Sequence, residues 1–454
     1  MERKLFGTDG VRGEAGTFLT AELALALGRA ATESLESPRP QVLIVRDTRE
    51  SGPMLEAALA AGVAEAGGDA LLGGVLPTPA AAILVRKLGL DLAAVVSASH
   101  NPYPDNGIKF FAATGSKLPD AAEVGIEALL AERPEERRRG LNRIAVQTST
   151  ASGGGGGFGR VRELSGGEED YLRALESAFP LDLSGIKVAL DCANGATHRV
   201  GPAIFERLGA EVDAIAVEPD GRNINDGCGS THLDNLAEHV VSSGATVGFA
   251  FDGDGDRVLA VDGDGRTHDG DELIALLARG QAKRDELGGG VAVTVMSNYG
   301  FHRAMEDAGV EVAVTKVGDR YVLDELRERD WALGGEQSGH IIDMRFAATG
   351  DGIAAALMTM RELGERDLAS VEAMEKLPQT LVNVEVADRE AIAGATVVWE
   401  AVERAGAELE GRGRVLLRPS GTEPLVRVMA EAPSAEEADA VCKRLADLVR
   451  EELG

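Results

Sequence analysis

Residues 42–72 read VLIVRDTRESGPMLEAALAAGVAEAGGDALL, and this stretch indicates the fold. Its first four residues are apolar and predict a buried strand, and a polar turn separates them from an apolar helix over 54–66. Two glycines end that helix, and residues 70–72 predict a second strand. Strand, loop, helix, glycine and strand in this order form a βαβ unit, and such units build parallel or mixed sheets.

The same order of elements recurs twice further along the chain, over residues 188–217 and 291–314. Three copies predict three related α/β domains. Beyond them, strands over 381–386, 415–417 and 426–430 precede a helix that a capping box opens at Ser434, which predicts a smaller α+β domain. The glycine run 153–157 is typical of a linker. The predicted domains are residues 1–157, 158–258, 259–372 and 373–454.

Composition narrows the function classes. The 454 residues carry 46 basic and 75 acidic side chains, a net charge of −29, which argues against nucleic acid as a partner. Nine of the basic residues are Lys, which leaves 37 Arg. A dispersed acidic excess with few lysines predicts a salt-rich cytoplasm, where screening removes the self-repulsion.

The chain shows no sign of membrane insertion or export. It has no apolar run of membrane-spanning length, and its first residues do not resemble a signal peptide. Cys192, Cys228 and Cys442 are an odd number without a CxxC spacing, so neither disulfides nor a zinc site are expected. These features predict a cytoplasmic protein. The sequence leaves open whether it is a monomer or a homodimer.

A reactive turn is expected where residues 97–111, SASHNPYPDNGIKFF, follow the apolar stretch Leu92–Val96. Turns after buried strands are where α/β proteins present reactive groups. Ser99 and His100 lie in this turn, and Lys109 follows as a partner in proton transfer or as a clamp for phosphate. Taken alone, the serine-rich turn is also consistent with a merely capping role.

An acidic loop, Asp252-Gly253-Asp254-Gly255-Asp256-Arg257, follows another apolar stretch. Its three alternating carboxylates can converge on a hard cation such as Mg²⁺ or Ca²⁺. An EF-hand is excluded because its sixth position, a glycine, would be Arg257, and its twelfth, a glutamate, would be Gly263. Arg257 beside a cation suits an anionic substrate such as phosphate. The similar run at 262–265 is interpreted as a charged surface turn.

Two further loops suit a sugar phosphate. In residues 334–340, GGEQSGH, the alternation of Glu336, Ser338 and His340 places all three on one face of an extended segment, although a glycine-rich hairpin is the alternative. The loop over 418–427, RPSGTEPLVR, offers two arginines, two hydroxyls and a glycine amide, which can hold a phosphate without a P-loop. Its predicted phosphate ligands are Arg418, Ser420, Gly421, Thr422 and Arg427.

These loops in this order resemble the α-D-phosphohexomutase family, and the resemblance runs nearly end to end. It includes residues 6–13 (FGTDGVRG), 46–49 (RDTR), 77–79 (PTP), 223–225 (NIN), 228–232 (CGSTH) and 316–321 (KVGDRY). The resemblance implies three α/β domains with mixed sheets and a fourth α+β domain around a central active-site cleft. It also implies an intramolecular phosphotransferase that moves phosphate between the 1- and 6-positions of a hexose.

The resemblance assigns roles to the residues above. Ser99 is the phosphoserine, and Mg²⁺ bridges it to Asp252, Asp254 and Asp256. Lys109 and His340 are the acid/base candidates, with Arg257 and His100 positioning the phosphate. A sugar 1,6-bisphosphate is both intermediate and activator. The implied substrate-binding residues are Arg12, Lys316, Gly318, Asp319, Arg320, Glu336 and Ser338. Basic candidates inside the motifs also include Arg46 and Arg49.

The substrate is less closely specified than the reaction. Glu336-Gln337-Ser338 resembles the glucosamine-phosphate branch of the family, although a broad phosphoglucomutase/phosphomannomutase remains the alternative. A phosphatase of the haloacid-dehalogenase type would need a DxDxT/V motif, which the acidic loop lacks, and would not need Ser99. A non-catalytic phosphosugar sensor would not need the Ser99–Lys109 pair.

Overall fold

The computed structural model describes residues 5–7, 9–131, 157–420 and 424–454. The described residues divide into two compact units. One comprises those up to Val295 together with Val312–Val371, and the other comprises Met296–Glu311 and Glu372–Gly454. Most of the glycine run 153–157, together with Gly421 and Thr422, lies outside the described residues.

The first domain is a mixed sheet covered by helices. Its elements are β1 (Val11–Glu14), α1 (Ala21–Glu33), β2 (Gln41–Arg46), α2 (Gly52–Glu65), β3 (Asp69–Val75), α3 (Thr78–Lys87), β4 (Leu92–Val96), β5 (Asp105–Ala112), α4 (Asp120–Ala131) and β6 (Val161–Glu163). The sheet order is β1-β5-β4-β2-β3-β6, and β5 pairs antiparallel with both β1 and β4. The strand β6 joins this sheet beside β3, although it follows residue 157.

The second domain repeats the arrangement. It contains α5 (Gly167–Ala178), β7 (Lys187–Asp191), α6 (Val200–Arg207), β8 (Glu211–Ile215), α7 (Asp234–Ser243), β9 (Val247–Phe251), β10 (Val258–Asp262) and β11 (Thr267–His268), with a short 3-10 helix at Gly229–Thr231. The sheet order is β11-β10-β9-β7-β8, and β7 is parallel to both β8 and β9.

The third domain contains α8 (Gly270–Lys283), β12 (Gly290–Thr294), β13 (Glu311–Thr315), α10 (Asp319–Arg329), β14 (Leu333–Gly335), β15 (Ile341–Asp343) and α11 (Gly352–Leu363), followed by a 3-10 turn at Leu368–Ser370. Its sheet order is β13-β12-β14-β15. The helix α9 (Tyr299–Asp307), which follows β12 in the chain, belongs to the second compact unit.

The C-terminal domain is an antiparallel sheet with helices. It contains β16 (Gln379–Glu385), a 3-10 helix (Arg389–Gly394), α12 (Thr396–Glu408), β17 (Arg414–Pro419), β18 (Leu425–Glu431) and α13 (Ala435–Leu453). The strand order is β16-β18-β17. The Ser434 hydroxyl accepts a hydrogen bond of 3.2 Å from the Glu437 amide and caps α13 as predicted. The predicted fold class, with mixed α/β sheets and a smaller α+β domain, is confirmed.

The topology explains where the candidate residues lie. Strands β2 and β4 are parallel neighbours, with Arg46 beside Val96, so the loops that follow them leave the same edge of the sheet. Reactive groups of open α/β sheets collect at that carboxyl edge. The acidic loop likewise follows β9, whose five residues are all buried.

Candidate active site

Ser99 lies in a strained and buried turn. Its φ is +54°, a left-handed conformation that is uncommon outside glycine, and only 1% of the residue is exposed. The Ser99 hydroxyl donates a hydrogen bond of 2.6 Å to Asp252 Oδ2. His100 Nδ1 lies 3.2 Å from the same hydroxyl. The nucleophile candidate and the acidic loop, predicted separately, therefore meet.

The turn is held from beneath by Arg49. This guanidinium is fully buried and donates to the backbone carbonyls of Ser99, Asn101, Pro102 and Asp105 at 2.5–3.0 Å. Because its donors are directed at Asp47 and at the protein's own backbone, Arg49 supports the serine loop. Of the basic candidates in the motifs, it is one whose guanidinium is already fully engaged within the protein. Sequence pattern missed this because burial of an arginine depends on tertiary packing.

The adjoining ends of β2 and β4 complete this support. Ser97 donates a hydrogen bond of 2.5 Å to Asp47 Oδ2, and its hydroxyl accepts from the Ser99 amide at 3.0 Å. Asp47 also pairs with Arg49 at 2.8 Å. Arg46, another predicted basic candidate, pairs with Glu56 at 3.2 Å. The position of Ser99 is thus fixed by a continuous hydrogen-bonded network.

The three acidic-loop carboxylates converge as predicted. One oxygen from each of Asp252, Asp254 and Asp256 lies within 4.8 Å of the others, and all three residues are buried. Burial and the two neighbouring carboxylates raise the pKa of Asp252 well above its usual value. Within the described residues, Asp254 Oδ1 and Asp256 Oδ1 accept no hydrogen bond. A buried, mutually repelling set of oxygen donors with open acceptors fits a divalent cation such as Mg²⁺.

Contacts between the first two domains hold the acidic loop against the serine loop. The Thr78 hydroxyl donates a hydrogen bond of 2.6 Å to Asp254 Oδ2. A Cβ on Gly253 would lie 2.6 Å from the Ser99 carbonyl oxygen, so only glycine allows this close approach. Asn225 donates to that same carbonyl at 2.9 Å. The two loops therefore pack as one structure.

Lys109 neutralises part of this acidic cluster. Its Nζ lies 2.7 Å from Asp254, 3.4 Å from Asp256 and 3.6 Å from Asp9. Burial alone would lower the pKa of Lys109, but these three carboxylates raise it above its usual value. The ammonium is therefore held charged, which favours a phosphate clamp over a proton shuttle. Asp9 was not singled out from the sequence.

The His340 ring has a defined tautomer. The Gly350 backbone N–H donates a hydrogen bond of 3.0 Å to Nε2. Because Nε2 is the acceptor, the proton of the neutral ring lies on Nδ1. Nδ1 faces Asp256 Oδ1 at 3.6 Å, and Nε2 lies 3.5 Å from Asp319 Oδ2. The imidazole is 3% exposed.

A closed ring of alternating basic and acidic side chains links the three α/β domains. Lys117, which no sequence motif singles out, pairs with Asp9 and lies 2.5 Å from Asp319. Together with the contacts above, it completes a circuit. The members of this charge ring, in order, are Lys109, Asp9, Lys117, Asp319, His340 and Asp256. Lys117 belongs to none of the predicted motifs, and only a pairing across distant segments reveals it.

The Glu336 loop is a hairpin, so the extended conformation predicted for it is wrong. It joins β14 to β15, with Gly339 at a φ of +89°. As a result Ser338 is exposed whereas His340 is buried, and the two do not share a face. Glu336 Oε1 accepts a hydrogen bond of 3.0 Å from the Gly318 amide. The Gln337 side chain donates a hydrogen bond of 3.2 Å to Asp269 at the start of α8.

Arginines and His100 surround the cluster. Arg12 pairs with Asp9, and Arg257 Nε lies 3.9 Å from Asp256 Oδ1. Burial, Arg257 and Arg12 lower the pKa of His100 to about 4, so this imidazole is neutral at pH 7. A neutral His100 can accept the hydroxyl proton of Ser99 or donate to a phosphate oxygen.

The remaining predicted substrate residues are spread more widely. Lys316 is exposed, 6.0 Å above the Tyr321 ring. The Arg320 guanidinium pairs with Asp120 and, at 3.1 Å, with Glu123 of the first domain. Arg320 therefore joins two domains, and its contact with a sugar stays a prediction.

The C-terminal loop presents two like charges. Arg418 on β17 lies directly opposite Arg427 on β18, and Ser420 is buried beside them. Burial, with a contribution from Arg427, lowers the pKa of Arg418. Like charges directly opposed across strands are destabilising unless an anion lies between them.

Comparisons with known proteins identify the family. Four family models match, each described as a domain of phosphoglucomutase/phosphomannomutase: domain I over residues 3–137, domain II over 169–265, domain III over 269–381 and the C-terminal domain over 381–448. Phosphoglucosamine mutase of Streptomyces avermitilis is 51% identical, over 99% of this chain and 100% of that protein. That of Heliobacterium modesticaldum is 49% identical over 98% and 99%.

The chain belongs to the α-D-phosphohexomutase family. Solved structures share the phosphohexomutase fold. A phosphoglucomutase/phosphomannomutase family protein of Burkholderia thailandensis superposes with a TM-score of 0.79 at 25% identity, covering 98% of this chain and 97% of that one. N-acetylphosphoglucosamine mutase of Aspergillus fumigatus, solved with GlcNAc-6P and magnesium, gives a TM-score of 0.67 at 19% identity, over 100% and 96%.

The family assignment confirms the phosphohexomutase resemblance and the enzyme class inferred from the sequence. All three cysteines of this phosphohexomutase are free and buried. No helix among the described residues is both long and apolar enough to span a bilayer. The individual residue roles and the domain boundaries stay predictions.

Proposed function

We propose that this phosphohexomutase interconverts glucosamine 6-phosphate and glucosamine 1-phosphate through a phosphoserine at Ser99. The observation that carries the substrate assignment is the identity of about 50% to phosphoglucosamine mutases over nearly the whole of both chains. The packing of Ser99 against Asp252 supports the choice of carrier.

Phosphate exchange requires two transfers. In the first, the bond between Ser99 Oγ and phosphorus breaks while a sugar hydroxyl forms a new bond to that phosphorus, which gives a 1,6-bisphosphate and a free serine. In the second, Ser99 Oγ attacks the other phosphate of the bisphosphate, and the sugar keeps the first one. Each hydroxyl that attacks releases a proton, and each alkoxide that leaves regains one. A trace of sugar 1,6-bisphosphate therefore primes unphosphorylated enzyme.

The acidic loop supplies the cation site. Asp252, Asp254 and Asp256, with the oxygen of Ser99, would hold Mg²⁺, which when bound neutralises charge on the transferred phosphate. The Lys109 ammonium, fixed among carboxylates, adds a second positive charge at the same place. Arg257 and His100 orient the phosphate. These groups are pre-positioned, which is where phosphoryl-transfer enzymes gain most of their rate.

His340 is the stronger candidate for the general base. Asp256 beside Nδ1 and the Gly350 N–H on Nε2 hold the ring in one orientation, whereas Lys109 stays protonated. Nε2 has the only lone pair that can take up a proton, so the hydrogen bond from Gly350 must open when it does, and the new N–H then faces Asp319. Asp256 and Asp319 on either side stabilise the imidazolium that forms when His340 accepts a proton. The ring returns that proton in the reverse transfer.

Recognition of the substrate falls to residues around this centre. Glu336 and Ser338 are proposed to bind sugar hydroxyls. Arg12, Lys316, Gly318, Asp319 and Arg320 are proposed to line the sugar phosphate's path. The paired arginines Arg418 and Arg427, with Ser420, Gly421 and Thr422, are proposed to bind the phosphate that is not reacting, because two opposed guanidiniums beside hydroxyl groups suit a phosphate.

The proposed setting is biosynthesis of amino sugars in a salt-rich cytoplasm, with the enzyme a monomer or a homodimer. The alternative is a phosphoglucomutase/phosphomannomutase of broad specificity, the kind of enzyme after which the matching family models are named. A phosphatase or a non-catalytic sensor would lack the 1,6-exchange altogether.

The test is ³¹P NMR of the enzyme with Mg²⁺, high KCl and a trace of glucose 1,6-bisphosphate. Glucosamine 6-phosphate, glucose 1-phosphate and mannose 1-phosphate are supplied separately. Exchange fastest with the glucosamine phosphate supports the proposal, and faster exchange with either other sugar supports broad specificity. Release of inorganic phosphate instead would indicate a phosphatase.

Ser99→Ala completes the test. We expect this variant to lose all 1,6-exchange and all incorporation of phosphate into protein. Ser242→Ala, which removes an exposed hydroxyl on α7, is the matched control and keeps full activity. Retained exchange in S99A would contradict the assignment of the phosphoserine.

A further inference from the structure

A short strip of backbone connects His340 with the acidic loop. It consists of residues 350–352, Gly-Asp-Gly, at the start of α11, and is called the GDG strip below. The Gly350 N–H donates to the His340 ring, and the Gly352 N–H donates a hydrogen bond of 3.0 Å to the carbonyl oxygen of Gly255 in the acidic loop. One tripeptide therefore contacts both the proposed base and the proposed cation loop.

The two glycines of the strip allow it to lie directly on the backbone of the acidic loop. A Cβ on Gly352 would lie 2.4 Å from the Arg257 carbonyl oxygen, and one on Gly350 would lie 2.6 Å from that of Asp256. Side chains at either position would push the two segments apart. Because the packing is this close, any shift of the strip must also move the acidic loop or the His340 ring.

Asp351, between the two glycines, anchors the strip. It is 2% exposed, and its Oδ1 accepts a hydrogen bond of 2.9 Å from the Ala354 amide, which caps α11. The Tyr171 hydroxyl lies 3.0 Å from Oδ1 and 2.9 Å from Oδ2 of the same carboxyl group. The Asp351 side chain thus ties the strip to its own helix and to Tyr171.

Tyr171 is a rigid anchor on another domain. It lies on α5 of the second domain and is fully buried. Burial and the neighbouring Asp351 raise the pKa of Tyr171 well above its usual value, so its hydroxyl keeps the proton that it donates. Directly after α5, the Phe179 ring packs 5.3 Å from that of Phe346 in the third domain. The helix is therefore held against the domain to which Asp351 belongs.

We propose that Tyr171 and Asp351 are positioning residues for phosphate transfer. The hydrogen bond between them holds the GDG strip at the spacing that lets His340 and the acidic loop act on the same phosphoryl group. The proposal rests on the roles proposed above for His340 and the acidic loop, and it is independent of which hexose is preferred. Neither residue was singled out from the sequence, because their pairing joins segments 180 residues apart.

The first variant is Tyr171→Phe, which removes the hydroxyl and keeps the buried ring. Steady-state kinetics are measured on the full-length enzyme with Mg²⁺, a trace of glucose 1,6-bisphosphate and the sugar phosphate that exchanges fastest in the ³¹P NMR test. We expect kcat to fall about fivefold, as for the loss of one hydrogen bond. KM should stay unchanged, because the residues proposed to bind the sugar are untouched.

Asp351 allows a test by conservative replacement. In Asp351→Asn the remaining oxygen can take the place of Oδ1 and accept from both Ala354 and Tyr171, whereas Asp351→Ala accepts from neither. Burial raises the pKa of Asp351 to about 7, so a neutral amide is a close substitute. We expect D351N to keep kcat within about threefold and D351A to lose about tenfold or more. Adding Y171F to D351A should lower kcat no further, because both changes break the same contact.

Val63→Ala is the control for a loss of stability alone. Val63 is buried in the core of the first domain, near the end of α2, so V63A should lower the melting temperature and keep kcat at room temperature. Near-UV circular dichroism checks that each variant is folded.

Three results would each overturn the proposal: wild-type kcat in Y171F, equal kcat in D351N and D351A, or a fall of kcat in V63A as large as that in Y171F. Any of them, with 1,6-exchange present in the wild type, rejects this inference and leaves the mutase proposal intact. A wild type without 1,6-exchange rejects both.

Discussion

The backbone amide of Gly350 donates a hydrogen bond of 3.0 Å to Nε2 of His340. The approach is close enough that a Cβ on Gly350 would lie 2.7 Å from the imidazole and 2.6 Å from the Asp256 carbonyl oxygen. A backbone donor and a missing side chain together fix the ring.

Gly350→Ala is therefore expected to displace His340 and to lower kcat about tenfold or more, since small misplacements of catalytic groups are costly. Steady-state kinetics measure this. The matched control is Gly125→Ala on α4, where a Cβ meets nothing within 4 Å. It should leave kcat unchanged and make the helix slightly more stable. Equal kcat in G350A and wild type would contradict the positioning of His340 by this amide.

A single substitution in the acidic loop is expected to raise the stability of the metal-free enzyme and to abolish its activity. Asp252→Asn removes one of three repelling buried carboxylates, so in EDTA its melting temperature should exceed that of the wild type. The rise in melting temperature that Mg²⁺ gives the wild type should be absent, and so should mutase activity. Calorimetry with and without Mg²⁺ measures both.

Asp264→Asn is the control for that experiment, because Asp264 lies in the similar turn at 262–265 but is largely exposed. Its melting temperature and its response to Mg²⁺ should match the wild type. If D264N rather than D252N lost the response to Mg²⁺, the cation site would lie in the turn at 262–265 and not in the acidic loop.

Two lysines provide a second matched pair. Lys109→Met leaves the carboxylates around it without their cation, which should cost about 3–5 kcal/mol of unfolding free energy. Lys87→Met removes a half-exposed pair with Asp170 and should cost about 0–1 kcal/mol. Urea denaturation compares them. Similar losses in both variants would mean that the charge ring does not stabilise the fold.

His268 predicts a dependence of stability on pH. Burial alone would lower its pKa, but Glu272 and Asp262 at 3.0 and 3.1 Å raise it above 6.5. The stabilisation is thus complete below pH 6.5 and is lost as pH rises through the folded pKa. His268→Gln should flatten this decline of the unfolding free energy, measured by urea denaturation at a series of pH values.

His198 is the counterpart, because burial lowers its pKa below 6.5. Its contribution has the opposite sign: the folded state loses stability as pH falls below 6.5. His198→Gln should therefore act only on the acid side. For His268, the contrary result is an unfolding free energy of H268Q that falls in parallel with that of the wild type above pH 6.5.

The charge excess gives a prediction for the whole chain. With a net charge of −29, mutual repulsion should be screened by salt, so the melting temperature should rise with KCl from low to molar concentration. A melting temperature insensitive to KCl would contradict adaptation to a salt-rich cytoplasm.

Local sequence patterns predicted the elements and the loops well. The strand Leu92–Val96 has the predicted bounds, and α2 begins two residues before its predicted start. These succeed because strand and helix periodicities are properties of contiguous residues. The convergence of Asp252, Asp254 and Asp256 was also predictable, since their spacing lies within one loop.

Contacts between distant segments were not predictable in this way. Lys117 joins the site only because the turn after β5 packs against Asp9 and Asp319, and no local pattern encodes that. The burial of Arg49 has the same origin. The extended conformation expected for the Glu336 loop failed because a left-handed glycine, Gly339, turns the chain into a hairpin.

The charge ring has a consequence for how this sequence can change. Every member lies between two neighbours of the opposite type, acidic or basic, so replacing one of them removes a partner from two side chains at once. Neutral drift at these positions must then proceed through paired exchanges, such as Lys117 together with Asp319. Homologues that have lost one member should have lost or replaced its neighbour too, so covariation, more than invariance, would be the mark of this ring.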